Sequence, residues 1–331
     1  MGSKGNIPKV SIIILNWNGR KYIRECLTSL LNTIYPKDKL EIIVVDNAST
    51  DGSDKIVAQE FPEIILIKNQ KNLGFCEGNN IGISCSTGDV IVLLNNDCFV
   101  DPNWLIEVIN AMNAPNVGIV GCKLVNPHST IIQSCGAREI FLGYWEHIAA
   151  GLDIKEFKCR GLFEVDYVSG AAIAMKRQVL EKIGLLDPIF WAYVEDVDFC
   201  YRAKKAGFKI FVAPRAIVYH YGSMSWKKMT IKQFLLNYKN KILFIYKNYP
   251  GGFLLKYLIS YLPKFTLRAL INFLHKETTT QRLAITIRGQ KKLTKDVFIK
   301  KLMKIYLTHL VFFFIGSIYG LYHIILIKKR F

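Results

Sequence analysis

Four apolar runs stand at intervals in the first hundred residues, and three of them stop abruptly in amides and carboxylates. Val10–Leu15 runs into Asn16-Trp17-Asn18-Gly19, Glu41–Val45 into Asp46-Asn47, and Val90–Leu94 into Asn95-Asn96-Asp97, with Ile64–Lys68 as the remaining run. Short, β-branched and nearly continuous apolar runs are how strands buried on both faces read. Between them come helical signals. Ile23, Leu27, Leu30 and Leu31 share one face over residues 20–33, Ser49–Ser53 is rich in capping residues, and a further helix is expected over Phe75–Cys85. The alternation predicts an α/β fold on a parallel sheet covered on both faces. In such sheets the ligand crevice lies beyond the carboxyl ends of the strands. That is where the polar clusters gather.

After residue 115 the pattern is mixed, with strands expected near Gly118–Val120, Phe163–Val168 and Ala171–Met175 and helices near Lys176–Ile183 and Asp196–Ala206. Past Trp226 long helical runs take over, broken at Pro250-Gly251-Gly252 and at Pro263. Charge divides the chain at the same place. Residues 1–225 hold 23 Lys and Arg against 24 Asp and Glu, whereas residues 226–331 hold 21 against 2. The whole net charge of +18 therefore comes from the last third. Basic residues there alternate with apolar stretches such as Phe253–Leu255 and Phe312–Ile315. An anionic membrane surface suits that pattern better than nucleic acid, which would favour a more hydrophilic arm. Two regions are expected: an α/β domain over residues 8–225 and a basic, apolar helical region over residues 226–331.

The chain contains neither GxGxxG nor GxxxxGK, which argues against a dehydrogenase and a P-loop ATPase. The eight cysteines form no CxxC pair and suit a reducing, cytosolic face, and the polar start runs directly into a strand without a signal peptide. Three places carry candidate chemistry. Asn95-Asn96-Asp97 offers a carboxylate flanked by amides, suited either to a hard divalent ion or to capping a turn. Glu195-Asp196-Val197-Asp198 opens a helix, where acids serve the helix dipole or, beside the aromatics of Phe190-Trp191-Ala192-Tyr193, provide a general base for an acceptor hydroxyl. His220 is either structural or an extra ligand to metal or diphosphate.

As a set these motifs resemble family 2 inverting glycosyltransferases, in particular the rhamnosyl- and galactofuranosyl-transferase-like branch. VSIIILNWNG (10–19), VDNASTDGS (45–53), NLGFCEGNNIG (72–82), LLNND (93–97), VSGAAIA (168–174), YVEDVDFCYR (193–202) and VYHYGS (218–223) follow in the family's order. The resemblance spans roughly residues 8–250 and implies a GT-A fold. It implies that Asn16, Trp17 and Asp46 hold the donor's base and ribose, with Trp17 stacked on the base, and that Asn79 lies near ribose or diphosphate. Asp97 matches the metal-binding Asp of the DxD-type motif, and Asn95 replaces that motif's first carboxylate, which gives His220 added interest as a ligand. Asp196, with Glu195 beside it, matches the catalytic base. The expected cofactor is Mg²⁺ or Mn²⁺, and the expected partners are a nucleotide-sugar donor and a glycan or lipid-linked acceptor.

Tyr306–Ile327 is 22 largely apolar residues, close to the roughly 20 that cross a bilayer core. Phe253–Leu274 carries Lys256, Pro263, Lys264 and Arg268 and better suits an interfacial helix. A donor drawn from the cytosol keeps the front domain cytosolic, and spanning arrangements would then leave basic flanks on the far side, against the usual bias. Helices lying in the cytosolic leaflet are therefore expected, with a C-terminal span as the other arrangement. Two competing readings remain: a non-catalytic nucleotide-sugar or glycan-binding subunit, favoured by Asn95 alone, and a nucleotidyltransferase, disfavoured by the lack of a glycine-rich loop after the first strand.

Overall fold

The computed structural model describes residues 7–141, 143–222, 230–258 and 314–325. The chain divides into two compact units, Met1–Lys228 and Met229–Phe331. The first unit opens with β1 (Val10–Asn16), α1 (Ile23–Leu31), β2 (Leu40–Asp46), α2 (Ser53–Glu60), β3 (Ile65–Lys68), α3 (Gly74–Cys85) and β4 (Val90–Asn95). Then come β5 (Cys98–Val100), α4 (Trp104–Met112), β6 (Val117–Val125), β7 (Ile132–Ser134), β8 (Ala137–Phe141), β9 (Tyr144–His147) and β10 (Phe163–Glu164). It closes with β11 (Ala172–Lys176), α5 (Arg177–Ile183), α6 (Glu195–Lys205) and β12 (Lys209–His220).

Ten strands form one sheet in the order β10-β12-β6-β11-β4-β1-β2-β3, with β5 on β12 and β7 on β6. The strands β4, β1, β2 and β3 are parallel, as the alternating pattern requires. The sheet as a whole is mixed, because β11 runs antiparallel to both β4 and β6. The reason is local. The chain reaches β11 from Ser169-Gly170-Ala171, where Asn95 N–H donates to the Ala171 carbonyl at the carboxyl end of β4, so β11 can only run back down the sheet.

Only Phe163–Glu164 of the expected strand over Phe163–Val168 pairs with β12. Val168 instead lies over Gly121, where an added Cβ would stand 2.4 Å from the Val168 side chain. The long strand β12, which ends at His220, accommodates Pro214 within a register shift between Ala213 and Ile217. A proline cannot donate to the ladder, so a bulge is where such a strand tolerates it.

One face of the sheet, carrying Ile12, Ile14, Val120, Cys122 and Leu124, packs in the core with α1 and α4 residues. On the other face α3 approaches closely through Gly78 and Gly82, whose missing side chains leave room for Leu15, Ile13 and Val45. All eight cysteines are free, six of them buried.

The second unit contains α7 (Ile231–Asn248), started by a capping box in which Thr230 and Gln233 satisfy each other's backbone amides. A helix over residues 314–325 lies on α7 through small residues: a Cβ at Gly316 would meet Tyr238, and one at Gly320 would meet Ile242. Its large residues Ile315, Ile318, Tyr319, Leu321, Tyr322 and Ile325 are exposed. Among the described residues no helix is long and apolar enough to cross a membrane. Much of the expected segments Phe253–Leu274 and Tyr306–Ile327 lies outside the described residues.

Candidate active site

Parallel register aligns the strand ends: Asn16 is level with Asp46 across β1 and β2, and Leu15 with Asn95 across β1 and β4. The Asn16 amide donates 2.8 Å to Asp46 Oδ1 and 2.8 Å to Ser53 Oγ, while its Oδ1 accepts from Asn96 Nδ2 at 2.8 Å. The second Asp46 oxygen accepts from Ser49 N–H at 2.9 Å. Asn16 and Asp46 are buried, so this satisfied network fixes the floor of the crevice. Gly19 is required above it, because a Cβ there would fall 2.2 Å from Asn96 Nδ2 and 2.3 Å from Asn16 Oδ1. Next along the chain Trp17 is 55% exposed, an open indole face beside the network.

Asn79 is placed differently from the other candidates. It is buried within α3, and its amide donates 2.9 Å to the Phe75 carbonyl one turn back. Asn95 closes β4 half-buried, with its backbone tied to Ala171. Asn47, not singled out from the sequence, joins the strand ends to the start of α3 by donating to the Gly74 carbonyl at 3.0 Å and accepting from Asn69 at 2.8 Å.

Pairing of β5 with β12 sets His220 opposite Cys98 and brings His220 Nε2 to 3.4 Å from Asp97 Oδ1. Gln133 orients the imidazole. Its Nε2 donates to the His220 carbonyl at 2.7 Å, which leaves its Oε1 to accept from His220 Nδ1 at 2.8 Å. With Nδ1 turned to Gln133, Nε2 is the ring atom that faces the Asp97 carboxylate: as an imidazolium it pairs with Asp97 directly, and as a neutral ring it can share a cation with it. A histidine held by a partner on its other nitrogen is a typical metal-ligand arrangement. The donor set, one carboxylate and one imidazole with room for other oxygens, fits Mg²⁺ or Mn²⁺. Cys98 lies within reach of the same point, but it is buried, its thiol donates to the Ala171 carbonyl, and burial raises its pKa far above the ordinary thiol value. It stays a neutral thiol and a poor ligand.

Across the sheet's carboxyl edge, α6 begins with two acids in unlike surroundings. Glu195 is buried with Oε2 unpartnered among the described residues, and burial, reinforced by the adjacent Asp196 charge, pushes its carboxyl well above the usual range. Burial raises Asp196 as well, but Asp196 accepts from Gly170 N–H at 2.9 Å and from Val197 N–H at 2.8 Å, bonds that favour its charged form. Of the two, Asp196 is the one that ionises first and Glu195 the one that holds its proton longer.

The loop before α6 holds Trp191, Tyr193 and Val194 at positive φ. Such conformations cost side-chain-bearing residues roughly 1–3 kcal/mol each and gather at functional sites. Phe75 N–H and Cys76 N–H both donate to the Trp191 carbonyl, and the Trp191 indole lies on Gly74, where a Cβ would fall 2.6 Å from the ring. Gly74 is itself at φ +83°, so only glycine answers both demands.

Residues 11–184 match the model of "Glycosyl transferase family 2", more than half of the chain. The chain belongs to glycosyl transferase family 2. Among relatives in this family, the probable glycosyltransferase YdaM of Bacillus subtilis is 30% identical over 230 residues, covering 67% of this chain and 52% of that protein. The N-acetylglucosaminyl-diphospho-decaprenol L-rhamnosyltransferase of Mycobacterium tuberculosis is 21% identical over 262 residues, covering 72% of this chain and 85% of that protein. Of three curated relatives, YdaM among them, the chain spans only 18–52% of the length. The mannosyltransferase PcManGT of Pyrobaculum calidifontis, solved with GDP-Man and Mn²⁺, has the same fold, with a TM-score of 0.58 at 18% identity over 96% of this chain and 88% of that one. This is the GT-A nucleotide-sugar transferase fold that the motif order implies.

Proposed function

We propose that this family 2 protein transfers a sugar from a nucleotide-sugar donor to a hydroxyl of a glycan or lipid-linked acceptor, with inversion and with the help of a divalent cation. The observation that carries the reading is the facing of His220 Nε2 and Asp97 Oδ1 across 3.4 Å at the carboxyl edge of the sheet. A bound Mg²⁺ or Mn²⁺ supplies Lewis-acid neutralisation of a departing diphosphate. The chain's own residues do the rest. Asp97 and His220 would hold the ion, with Gln133 orienting the His220 ring through Nδ1. The Asn16–Asp46 network and the exposed Trp17 ring receive nucleoside, the ring by stacking. Asn79 supports that side by holding the first turn of α3. Asp196 accepts the acceptor's hydroxyl proton as that oxygen attacks the anomeric carbon from the face opposite the leaving diphosphate. One such displacement inverts the centre. Glu195, buried and with its carboxyl pushed up by burial and by the Asp196 charge, resists adding a second charge beside Asp196.

The second unit holds this domain on an anionic membrane surface, at the cytoplasmic face from which nucleotide sugar is drawn. Support comes from the basic excess of residues 226–331 and from the helix over 314–325, whose small residues meet α7 while its large apolar ones face outward. That inversion of the usual pattern suits a lipid-facing helix. A polyprenyl-linked acceptor, of the kind named for the mycobacterial relative, would lie in the same leaflet.

The experiment is thermal unfolding of the full chain in detergent with UDP, dTDP and GDP, each with and without Mn²⁺. A diphosphate that stabilises only with metal supports the reading. If none stabilises under any condition, the non-catalytic subunit gains over the transferase.

A further inference from the structure

Cys98 is the third ligand-type side chain at the Asp97–His220 pair, and the mechanism above leaves it unused. Its position is set by register. β5 and β12 are antiparallel with Cys98 directly opposite His220, and residues so paired share a face and stand close. The Cys98 sulfur, an Asp97 carboxylate oxygen and a His220 ring nitrogen all lie within 4.8 Å of one another. The backbone holds them there, because Tyr221 N–H donates to the Asp97 carbonyl at 3.0 Å. Gly222 then folds over the imidazole, where a Cβ would fall 2.4 Å from the ring.

The spacing is that of a particular cation. Zinc bonds of roughly 2.0–2.3 Å in a four-coordinate shell set ligand atoms roughly 3.3–3.8 Å apart. Asp97 Oδ1 and His220 Nε2 already stand at 3.4 Å. The sulfur, within 4.8 Å of both ligand atoms, has to close by at most roughly 1.5 Å to join them. Turning the Cys98 side chain breaks one contact, the bond from its thiol to the Ala171 carbonyl at 3.6 Å. That carbonyl keeps the Asn95 N–H at 3.0 Å, so it is not left unsatisfied.

Thiolate with imidazole and carboxylate is a donor set that favours zinc, whereas Mg²⁺ and Mn²⁺ prefer oxygen. Zinc also stands above manganese in intrinsic affinity for such ligands. Charge separates the two states of the site. A hard ion held by Asp97 and a neutral His220, beside a neutral thiol, leaves one net positive charge to attract a diphosphate. With a thiolate added the charges cancel, and that attraction is lost.

Resting on the transferase reading, we propose that Asp97, Cys98 and His220 form a zinc site that competes with the donor-site cation and turns off donor binding. On binding, a Zn–S bond replaces the S–H bond of Cys98, and the proton leaves to solvent. No electron is transferred, so neither oxidant nor reductant is needed, and a chelator reverses the change.

The test uses full-length protein in detergent, with Co²⁺ as the spectroscopic stand-in for zinc and UDP, dTDP and GDP with Mn²⁺ for the donor site. Bound Co²⁺ should show a near-ultraviolet sulfur-to-cobalt charge-transfer band that Zn²⁺ displaces and that is absent from Cys98→Ala and His220→Ala. In calorimetric titration Cys98→Ala should lose at least the roughly 10–100-fold in Zn²⁺ affinity that even a supporting partner is worth, with Mn²⁺ affinity unchanged. Zn²⁺ added to the Mn²⁺-loaded wild type should remove the nucleoside diphosphate stabilisation, and Cys98→Ala should resist the same concentration. Cys98→Ser removes the sulfur but keeps a polar atom, and should behave as Cys98→Ala does. A wild-type cobalt spectrum without the band would overturn the proposal, and that measurement depends on no variant. A band that survives in Cys98→Ala would overturn it too, as would Zn²⁺ that supports nucleotide stabilisation as well as Mn²⁺ does. If the cobalt band is present and no nucleoside diphosphate stabilises the wild type, the zinc ligands stand and the transferase reading fails.

Discussion

His220 and Asp97 face each other across 3.4 Å from adjacent strand ends, and Gln133, on a third strand, holds the far side of the imidazole. The arrangement makes a prediction about metal. Asp97→Asn and His220→Ala should each abolish the Mn²⁺-dependent part of nucleotide stabilisation, which at about 100 times the dissociation constant amounts to roughly 2.7 kcal/mol. Gln133→Leu removes no ligand but frees the ring, and metal affinity should fall by about 10–100-fold, the range typical of such supporting bonds. Calorimetric titration of Mn²⁺ with nucleoside diphosphate present measures both. Intact metal-dependent stabilisation in Asp97→Asn would remove the proposed ion from this site.

Asp196 should behave as a base rather than as a cap. Asp196→Asn retains the acceptor for Gly170 N–H, so the helix start survives, but the group that takes the proton is gone. Turnover should fall by about 10²–10⁴-fold, the usual worth of general base catalysis, with little change in donor affinity. Retention of near-normal turnover would leave Asp196 as a structural residue only.

Glu195 gives a pH prediction with a definite sign. Burial raises its folded pKa above the unfolded value, so the folded protein binds the extra proton. Its contribution to stability is complete below the unfolded pKa, near the ordinary Glu value, and is lost as pH rises toward the folded pKa. Glu195→Gln carries a neutral group at every pH. The variant should therefore gain melting temperature over wild type as pH increases from about 4.3 upward. A gap that narrows with rising pH would show that Glu195 is ionised in the fold.

Much of this was legible in the sequence wherever a residue's role is local. Asn16, Asp46 and Asp97 sit directly after apolar runs, and the parallel order of β1, β2 and β4 turns that position into a shared edge. The antiparallel entry of β11 was not legible, because an apolar strand reads the same in either direction. Gln133 escaped notice, and Asn96 was legible only as a flank of Asp97, for a related reason. Gln133 meets His220 across 87 positions, and Asn96 meets Asn16 across 80, contacts that no spacing rule encodes. Asn79 lay in a recognised motif, yet its amide bonds within its own helix, which only the coordinates reveal.

Membrane attachment is tested by flotation of the full chain with vesicles. Each basic residue near an anionic surface contributes about 1 kcal/mol, and salt screens it. Binding to phosphatidylglycerol-rich vesicles should exceed binding to pure phosphatidylcholine and weaken with added salt. A portion should survive high salt, because the exposed apolar face of residues 314–325 does not depend on charge. Equal binding to both vesicle types would leave the basic excess without its proposed partner.

The Asn16 network predicts how the crevice floor fails. Asn16 Nδ2 and Asp46 Oδ1 are 2.8 Å apart and both residues are buried, so Asn16→Asp would set a second carboxylate against the first where a donor stood. Two carboxylates at that distance resist joint ionisation, and one must take up a proton for the fold to persist. The proton is more readily supplied at low pH, so the variant's stability should fall as pH rises, opposite to the usual effect of a paired acid. When both acids are ionised Asp46 Oδ1 is also left without its donor, at about 1–3 kcal/mol for a buried group left unsatisfied, whereas Ser53 Oγ keeps its bond to Asp51. Melting temperatures of Asn16→Asp and wild type at pH 5 and pH 8 should therefore diverge more at the higher pH. A constant gap would mean that the network tolerates charge, and the strand ends would then be held by their backbone register alone.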